Sequence, residues 1–410
     1  DNTEGGATDR SNANLSLITS FKNGALMKNQ VYYCKYHFNL FSNFTFFLED
    51  SVNGDGINQT DKGRDLFGYN GTIEKKTQIG NKSLRSVFGL GTRVDMTEIM
   101  LRHEVKRVIL DTMVLGKLAE QNINAYIDET IQLSPKFSVN AALRADYFYF
   151  SFKNSLGDSL SGNSSKTKLS PKLNLYYDVK PTVRLFAHGG FGFHSNDARS
   201  VVLKLAENSL PRAIGYEAGS TFKIRKKILV NAALWGLDLE NELVYVGDAG
   251  IVEINGATRR LGADLSVRCE ITKYLFADAD LNYSHGRFLA LPEGENFIPL
   301  APSLTSTGGL TLKQEKGFNA SLRYRYINSR PANENNSVVA KGYFLLDAVI
   351  NYTQSKYQIG ISVENLLNSE WNQAQFDTES KLKNETQSVS ELHYTPGTPF
   401  FIKGSVSYTF

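Results

Sequence analysis

The sequence has 410 residues, a length that fits about two or three ordinary domains or one large barrel. Its mean hydropathy is −0.29. No apolar run approaches the roughly 18–20 residues of a transmembrane helix, so a helical membrane protein is excluded. With 45 Lys and Arg residues against 42 Asp and Glu residues, the chain is also too evenly charged to indicate a nucleic-acid-binding protein.

Near the start of the chain, the residue pattern predicts a strand over residues 29–50, followed by a glycine-rich loop. The loop sequence SVNGDGINQTD partly resembles a calcium-binding loop, because Asn53 and Asp55 fit ligand positions when Gly56 occupies the sharp turn. The first acidic position holds serine, however, and the last holds Lys62. Residues 51–61 are therefore consistent with an exposed loop tip or with a calcium site.

Apolar and polar residues alternate along most of the remaining chain. The segment YLFADADLNYSH has Asp278 and Asp280 on its polar side, and GFNASLRYRYIN has Arg323 and Arg325 on its polar side. A period of two predicts β-strands that have one apolar face and one polar face. No long segment has helical periodicity, and the best short candidate, residues 195–210, lies in a predicted loop.

The connections between these segments are alternately short and long. Short turns are predicted near residues 135, 180, 226, 272, 315 and 355, and long loops over residues 153–165, 194–214, 248–257, 288–299, 329–340 and 366–398. This asymmetry is typical of outer-membrane barrels, whose long loops lie outside the cell, and not of a soluble β-sandwich. The sequence therefore predicts an all-β, transmembrane antiparallel up-and-down β-barrel with about 17 strands.

The chain ends in the strand-like segment GSVSYTF, which has no polar tail. Its apolar side includes Val406, Tyr408 and Phe410, while Ser405 and Ser407 lie on the polar side. In a barrel, the apolar side of such a strand contacts lipid and the polar side contacts the lumen.

Several stretches resemble the C-terminal barrel of TonB-dependent outer-membrane receptors. They are ALRADYFYF (142–150), KLSPKLNLYYDVKPTVRLFAHGGFGFHSNDARS (168–200), NGATRRLGADLSV (255–267), IPLAPSLTSTGGLTL (298–312), YRYINSRPANE (324–334), ISVENLLNSEW (361–371) and the terminal PGTPFFIKGSVSYTF. The similarity runs in order over about residues 60–410.

The resemblance implies a barrel of about 22 strands that is filled by an N-terminal plug domain. Residues 1–410 would then be the C-terminal part of one such barrel, and the plug and the first strands are not in this chain. It further implies a monomer in the outer membrane of a Gram-negative bacterium. Such a receptor imports a scarce chelated nutrient, most often a ferric siderophore, with energy from the TonB system.

The resemblance also implies the partners of the chain. They are TonB, reached through the absent N-terminal part, outer-membrane lipid, a small chelate ligand and the barrel-insertion machinery. The terminal aromatic Phe410, together with Tyr408, resembles the signal that this machinery reads. No nucleic-acid partner and no cofactor are expected.

One candidate ligand site lies in the loop that follows GFGF. His194 begins this loop, and Asn196, Asp197 and Arg199 are close by in sequence. Such a cluster could contact a metal chelate or an anionic ligand from outside the cell, or it could anchor the loop by hydrogen bonds. Trp371 is expected to anchor another loop or the membrane interface rather than to stack on a ligand.

Charged residues on the polar strand faces form the second group of candidates. In a plugged barrel, Asp278, Asp280, Arg323 and Arg325 would face the plug or pair with one another, whereas in an open pore they would set ion selectivity. The alternative function is accordingly a passive porin of 16–18 strands.

No catalytic function is predicted. The six histidines are scattered, without an HExxH or nucleophile motif. Cys34 and Cys269 lack metal-ligand spacing, and Cys269 continues an apolar strand face. We therefore expect neither an enzyme nor a metal site formed by these residues.

Overall fold

The computed structural model describes residues 3–157, 160–194, 198–202, 210–246, 251–254 and 256–410. In chain order, the strands are β1 (Gly5–Ser20), β2 (Leu26–Ser42), β3 (Ile57–Ile79), β4 (Lys82–Val105), β5 (Val108–Ser134), β6 (Phe137–Asn154), β7 (Gly162–Lys180), β8 (Val183–Phe193), β9 (Arg212–Ile224), β10 (Ile228–Leu239), β11 (Leu243–Val246), β12 (Ile251–Ile254), β13 (Thr258–Glu270), β14 (Leu275–Phe288), β15 (Leu304–Leu312), β16 (Gly317–Ile327), β17 (Arg330–Pro331), β18 (Val339–Ala340), β19 (Tyr343–Thr353), β20 (Tyr357–Glu364), β21 (Asn372–Ser380), β22 (Val389–Pro396) and β23 (Phe401–Tyr408). A short helix, α1 (Ala198–Val202), lies between β8 and β9.

Seventeen of these strands form one antiparallel sheet in which each strand pairs with the next long strand along the chain. The sheet starts with β1, which pairs with β2, and ends with β23, which pairs with β20. The other strands form three hairpins within long loops, β11–β12, β17–β18 and β21–β22. The predicted up-and-down architecture and the count of about 17 strands are therefore confirmed, although the three loop hairpins were not predicted.

The two faces of the sheet differ as the alternation predicts. On β5 and β6, Ile123 lies opposite Tyr147 and Ile127 lies opposite Leu143, and all four side chains are about half exposed. The intervening residues Asn124 and Asp146 pair on the other face. Half-exposed large apolar side chains are unfavourable in water but favourable against lipid, so the first face is the lipid face and the second is the inner face. Among the described residues, no helix is long and apolar enough to cross a bilayer.

The connections divide the sheet into a short-turn end and a long-loop end. Eight turns of two to five residues form the short-turn end: 21–25, 80–81, 135–136, 181–182, 225–227, 271–274, 313–316 and 354–356. The loops at the other end are longer, apart from the tight β4–β5 turn at 106–107. In outer-membrane barrels the short turns face the periplasm and the long loops face the outside.

At the long-loop end, a loop near the first strand of the sheet contacts a loop near the last strand. The Phe47 amide donates to the Lys381 carbonyl at 2.8 Å, and the Lys381 amide donates to the Thr45 carbonyl at 3.1 Å. These contacts join the β2–β3 loop to the β21–β22 hairpin, although β2 and β20 lie near opposite ends of the strand order. The sheet is therefore curved far enough to bring its two ends within reach of one another.

Aromatic contacts reinforce this junction. Phe44 packs edge-on against Phe376 with ring centroids 5.7 Å apart, and Phe46 stacks on His393 at 5.8 Å. The prediction that one strand covers residues 29–50 was wrong for this reason. The apolar residues beyond Ser42 continue the alternating pattern, but they pack against another loop rather than lipid.

The largest apolar cluster lies on the inner face near the long-loop end. Phe148, Phe150 and Phe152 point inward from β6, and Ala198 and Val201 of α1 pack against them. Phe150 is fully buried. The helix α1 therefore lies in the mouth of the barrel and covers an aromatic part of its wall.

Candidate functional site: the inner face and mouth of the barrel

Ion pairs line the inner face across neighbouring strands. Nη1 and Nη2 of Arg323 both donate to the Asp278 carboxylate across β15, which carries Gly309 between the two residues. Glycine has no side chain at this position, so the two charged groups meet directly over the strand. The cross-strand register, which the sequence does not specify residue by residue, brings this predicted pair together.

The neighbouring predicted residues pair in the same way. Arg268 donates to Asp280 at 2.8 Å, and Arg325 donates to Asp347 at 3.3 Å. These pairs are partly exposed, with 41% of the Asp280 side chain accessible. All four predicted inner-face residues therefore have a partner on the wall itself. Asp347 was not recognised from the sequence, because a single aspartate in an apolar strand carries no distinguishing pattern.

A more deeply buried charge cluster lies on β3 and β4. The Asp95 carboxylate accepts hydrogen bonds from Arg64 Nε and from Arg93 Nη2, each at 2.7 Å. Asp95 is only 2% exposed, whereas the arginine side chains remain about 40–50% exposed. The arginines therefore cover the carboxylate and present their outer edges to the lumen. Nothing in the local sequence distinguishes Asp95 from the other inner-face aspartates.

A glycine-lined depression of about 470 Å³ lies on the inner wall between β7 and β10. Its floor includes Gly190, Gly192 and Gly215, which leave the wall smooth because they lack side chains. At its edge, His188 Nδ1 lies 2.6 Å from a Glu217 carboxylate oxygen. His188 Nε2 is buried and has no hydrogen-bond partner in the described structure, and neither has Nε1 of Trp235, which also lines the depression.

Cationic and aromatic side chains gather at the mouth. Tyr343 packs edge-on against Trp371 with ring centroids 4.9 Å apart, and the Arg325 guanidinium carbon lies 6.0 Å from the Trp371 ring centroid. Arg325 and Tyr343 share the inner face of the sheet. Trp371 Nε1 donates to the Thr398 carbonyl at 3.0 Å, so Trp371 holds its loop in place, as expected.

Arg330, in β17, completes this mouth cluster of Arg325, Arg330, Tyr343 and Trp371. Burial lowers the pKa of Arg330 below its ordinary value, and the nearby Tyr343 only partly opposes that effect. Arg330 Nη1 is buried and has no hydrogen-bond partner in the described part of the chain. A desolvated cationic donor of this kind would be stabilised by an anionic partner.

The segment ISVENLLN positions the loop that carries Trp371. Asn365 adopts a φ of +50°, and its side-chain amide donates to the carbonyls of Ser369 (2.9 Å) and Thr398 (3.1 Å). Its Oδ1 accepts the Ser369 amide at 2.9 Å, and its own amide donates to Asp347. Asparagine suits this position because it tolerates positive φ and bonds to local backbone. This segment, one of the stretches that resemble the receptor family, is therefore a loop anchor.

The predicted loop site around His194 is only partly described. His194 is exposed, and its amide donates to the Pro211 carbonyl at 3.1 Å. Asn196 and Asp197 lie outside the described residues, and Arg199 is described only as part of the α1 backbone. Ligand binding by these residues stays a prediction.

The loop predicted over residues 51–61 extends only to Gly56, because β3 begins at Ile57, and its Asp55 carboxylate bonds to nearby backbone amides. Asp55 accepts the amides of Leu48 (2.9 Å) and Asp50 (2.8 Å). Hydrogen bonds from Asn53 and then from the Val52 amide hold the pKa of Asp50 below its ordinary value. Within the described ranges, no three His, Cys, Asp or Glu side chains form a group suited to a metal ion. The loop tip is built by its own hydrogen bonds.

The two terminal aromatic residues lie together on the lipid face. The rings of Tyr408 and Phe410 meet edge-on, with centroids 5.3 Å apart, and both are exposed. Recognition of these residues by the insertion machinery stays a prediction.

A family model described as "TonB dependent receptor-like, beta-barrel" matches residues 1–366. A comparison with curated proteins gives no match. Solved structures similar to this chain include the ferric citrate transporter FecA in its unliganded form, with a TM-score of 0.77, 14% identity and coverage of 98% of this chain and 61% of the other.

The ferric-catecholate import receptor Fiu from E. coli K12 is similar, with a TM-score of 0.78, 13% identity and coverage of 100% and 65%. The copper transporter OprC has a TM-score of 0.73, 14% identity and coverage of 100% and 66%. The chain therefore spans less than two thirds of each of these proteins.

Proposed function

Because the chain belongs to the TonB-dependent receptor β-barrel family, and hence to the outer membrane, we propose that it imports an anionic metal chelate with energy from the TonB system. A ferric siderophore is the default ligand. Support for this ligand class comes from two proteins of the same fold, whose names specify ferric citrate and ferric catecholate.

The observation that carries the proposal is the mouth cluster. Arg330 has a buried guanidinium nitrogen without a hydrogen-bond partner among the described residues, and its neighbour Tyr343 packs against Trp371. Anionic chelates combine carboxylate or catecholate oxygens with apolar or aromatic surface, so a cation next to aromatic rings suits both parts. Import would require no covalent chemistry from the protein.

In this proposal a plug domain from outside residues 1–410 packs against the inner face. Two buried nitrogens support a partner there, since His188 Nε2 and Trp235 Nε1 lack hydrogen bonds within the described structure. A packed partner would satisfy such groups, whose desolvation is otherwise unfavourable. A passive porin is disfavoured by the family membership of the chain and by the pairing of the predicted inner-face charges across the wall.

Binding at the mouth can be measured from tryptophan emission. The chain has two tryptophans, so Trp235→Phe leaves Trp371 as the only reporter. Gallium citrate and gallium catecholate complexes serve as probes, because gallium(III) replaces iron(III) without quenching fluorescence. We expect saturable changes in emission with at least one complex. Arg330→Gln should weaken that binding about 10- to 100-fold, since a hydrogen bond to a charged group contributes about 1.5–3 kcal/mol.

Arg268→Gln is the matched control. It also removes an inner-face guanidinium, but near the short-turn end and in a pair with Asp280. We expect its affinity for the gallium complexes to equal that of the Trp235→Phe protein. An Arg330→Gln protein that binds as tightly as the control, or a folded protein that binds none of the complexes, would contradict the proposal.

A further inference from the structure

The short-turn end of the barrel carries a ring of positive charge. The eight turns contain nine cationic residues, Lys22, Lys136, Arg225, Lys226, Lys227, Lys273, Lys313, Lys316 and Lys356, and one acidic residue, Glu315. The two turns that lack a cation are each adjacent to a strand-terminal lysine, Lys82 or Lys180. In the connections at the long-loop end, acidic residues outnumber basic ones by 18 to 8. The positive charge is therefore concentrated at one end.

These turn residues are exposed and almost free of acidic partners. Within the described ranges, the only ion pair of a turn cation joins Lys227 to Glu270 at 3.9 Å. Lys273 Nζ lies 4.7 Å from the ring centroid of Tyr274. The ring is thus available to anions from outside the protein.

Aromatic side chains place the ring at the depth of lipid headgroups. Tyr177, Phe222, Phe318, Tyr357 and Tyr408 lie close to the short turns on the lipid face, and each is 36–60% exposed. Exposed aromatic residues of this kind mark the boundary between acyl chains and headgroups. Lysines one or a few residues beyond this belt can reach headgroup phosphates with their ammonium groups.

We propose that the lysine ring binds the phosphate groups of anionic phospholipids in the membrane leaflet at the short-turn end. Lysine is a compact point charge with three donors, which suits a phosphate that approaches from many directions. The attraction of a single lysine to an anionic membrane surface corresponds to a factor of about five in an equilibrium constant. Several such residues on neighbouring turns would therefore gather a shell of anionic lipid around this rim.

The native Cys269 provides a reporter next to the ring. It lies on the lipid face at the end of β13, between Ile228 of β10 and Ala277 of β14. The substitution Cys34→Ser leaves Cys269 as the single cysteine of the 410-residue chain. Cys269 is then labelled with a fluorescent donor, and the protein is reconstituted in phosphatidylcholine vesicles. Energy transfer to a trace of acyl-labelled phosphatidylglycerol is compared with transfer to acyl-labelled phosphatidylcholine, which has the same fluorophore.

We expect more efficient transfer to phosphatidylglycerol than to phosphatidylcholine. The ratio of the two efficiencies should fall towards one as the sodium chloride concentration is raised. A variant with glutamine at Arg225, Lys226, Lys227 and Lys273, on the two turns that flank Cys269, should also bring the ratio to about one. A control variant with glutamine at Lys106, Lys117, Lys153 and Lys166 removes four exposed cations near the long-loop end and should keep the wild-type ratio.

Inorganic phosphate distinguishes a lipid headgroup from a free anion. At constant ionic strength, millimolar phosphate should leave the ratio unchanged, because the proposed ligand is held in the membrane at high local concentration. The proposal is overturned if the two acceptors give equal transfer in the wild-type protein, if the turn variant keeps the wild-type ratio, or if millimolar phosphate abolishes the preference.

Discussion

Replacement of both Arg64 and Arg93 by methionine is expected to lower the free energy of unfolding by about 3–5 kcal/mol. Each arginine donates a hydrogen bond of 2.7 Å to the Asp95 carboxylate, and Asp95 is only 2% exposed. Methionine keeps much of the length that covers the carboxylate but supplies no donor. A buried charge without its partner is strongly destabilising. The measurement is the urea dependence of unfolding in lipid vesicles.

A third substitution separates this electrostatic effect from altered packing. If the loss comes from the uncompensated charge of Asp95, Asp95→Asn in the same background should recover most of it, because the amide is neutral and nearly isosteric. Arg268→Met breaks a pair whose aspartate is 41% exposed, and it should cost less than about 1 kcal/mol. A triple variant that is no more stable than the double variant would contradict this account of the cluster.

Replacement of Asn365 by alanine is expected to destabilise the protein by about 3–4 kcal/mol. The change removes three side-chain hydrogen bonds, with the Ser369 carbonyl, the Ser369 amide and the Thr398 carbonyl, each contributing about 1 kcal/mol. It also places alanine at a φ of +50°, which costs roughly 1 kcal/mol more. The loss should appear in urea unfolding and as faster protease cleavage within residues 366–400.

Two further variants test the separate contributions at this position. Asn365→Gly removes the hydrogen bonds but accepts the positive φ, so it should be about 1 kcal/mol more stable than Asn365→Ala. Leu367→Ala alters a 55% exposed neighbour in the same loop and should have little effect on cleavage. If Asn365→Ala unfolds and is cleaved like the wild-type protein, the loop is held by contacts other than this side chain.

The strands of the barrel were predictable because lipid imposes a period of two on every long segment. Ile123 and Ile127 must face acyl chains while Asn124 faces inward, and this alternation is visible in the residues alone. The hairpins within loops were not predictable on that basis. The polar strand β21 (Asn372–Ser380) faces neither lipid nor a conventional core, so no hydrophobic pattern marks it.

The inner-face charges could be assigned to a face but not to partners. Asp278 and Arg323 are 45 residues apart, and they meet because β14, β15 and β16 are in register. The mouth cluster depends still more on long-range packing. Trp371 reaches Tyr343 and Arg325 only after Asn365 has turned the chain, and a sequence pattern does not encode such an approach of a loop to a wall.

The most direct test of the transport proposal is uptake by cells that express the protein from its own gene. The probe is a radiolabelled iron(III) chelate whose gallium counterpart alters Trp371 emission. We expect saturable uptake that stops when a protonophore collapses the proton-motive force, because TonB-driven import requires that energy. Uptake that rises in proportion to chelate concentration and continues unchanged with the protonophore would identify a passive pore and contradict the proposed function.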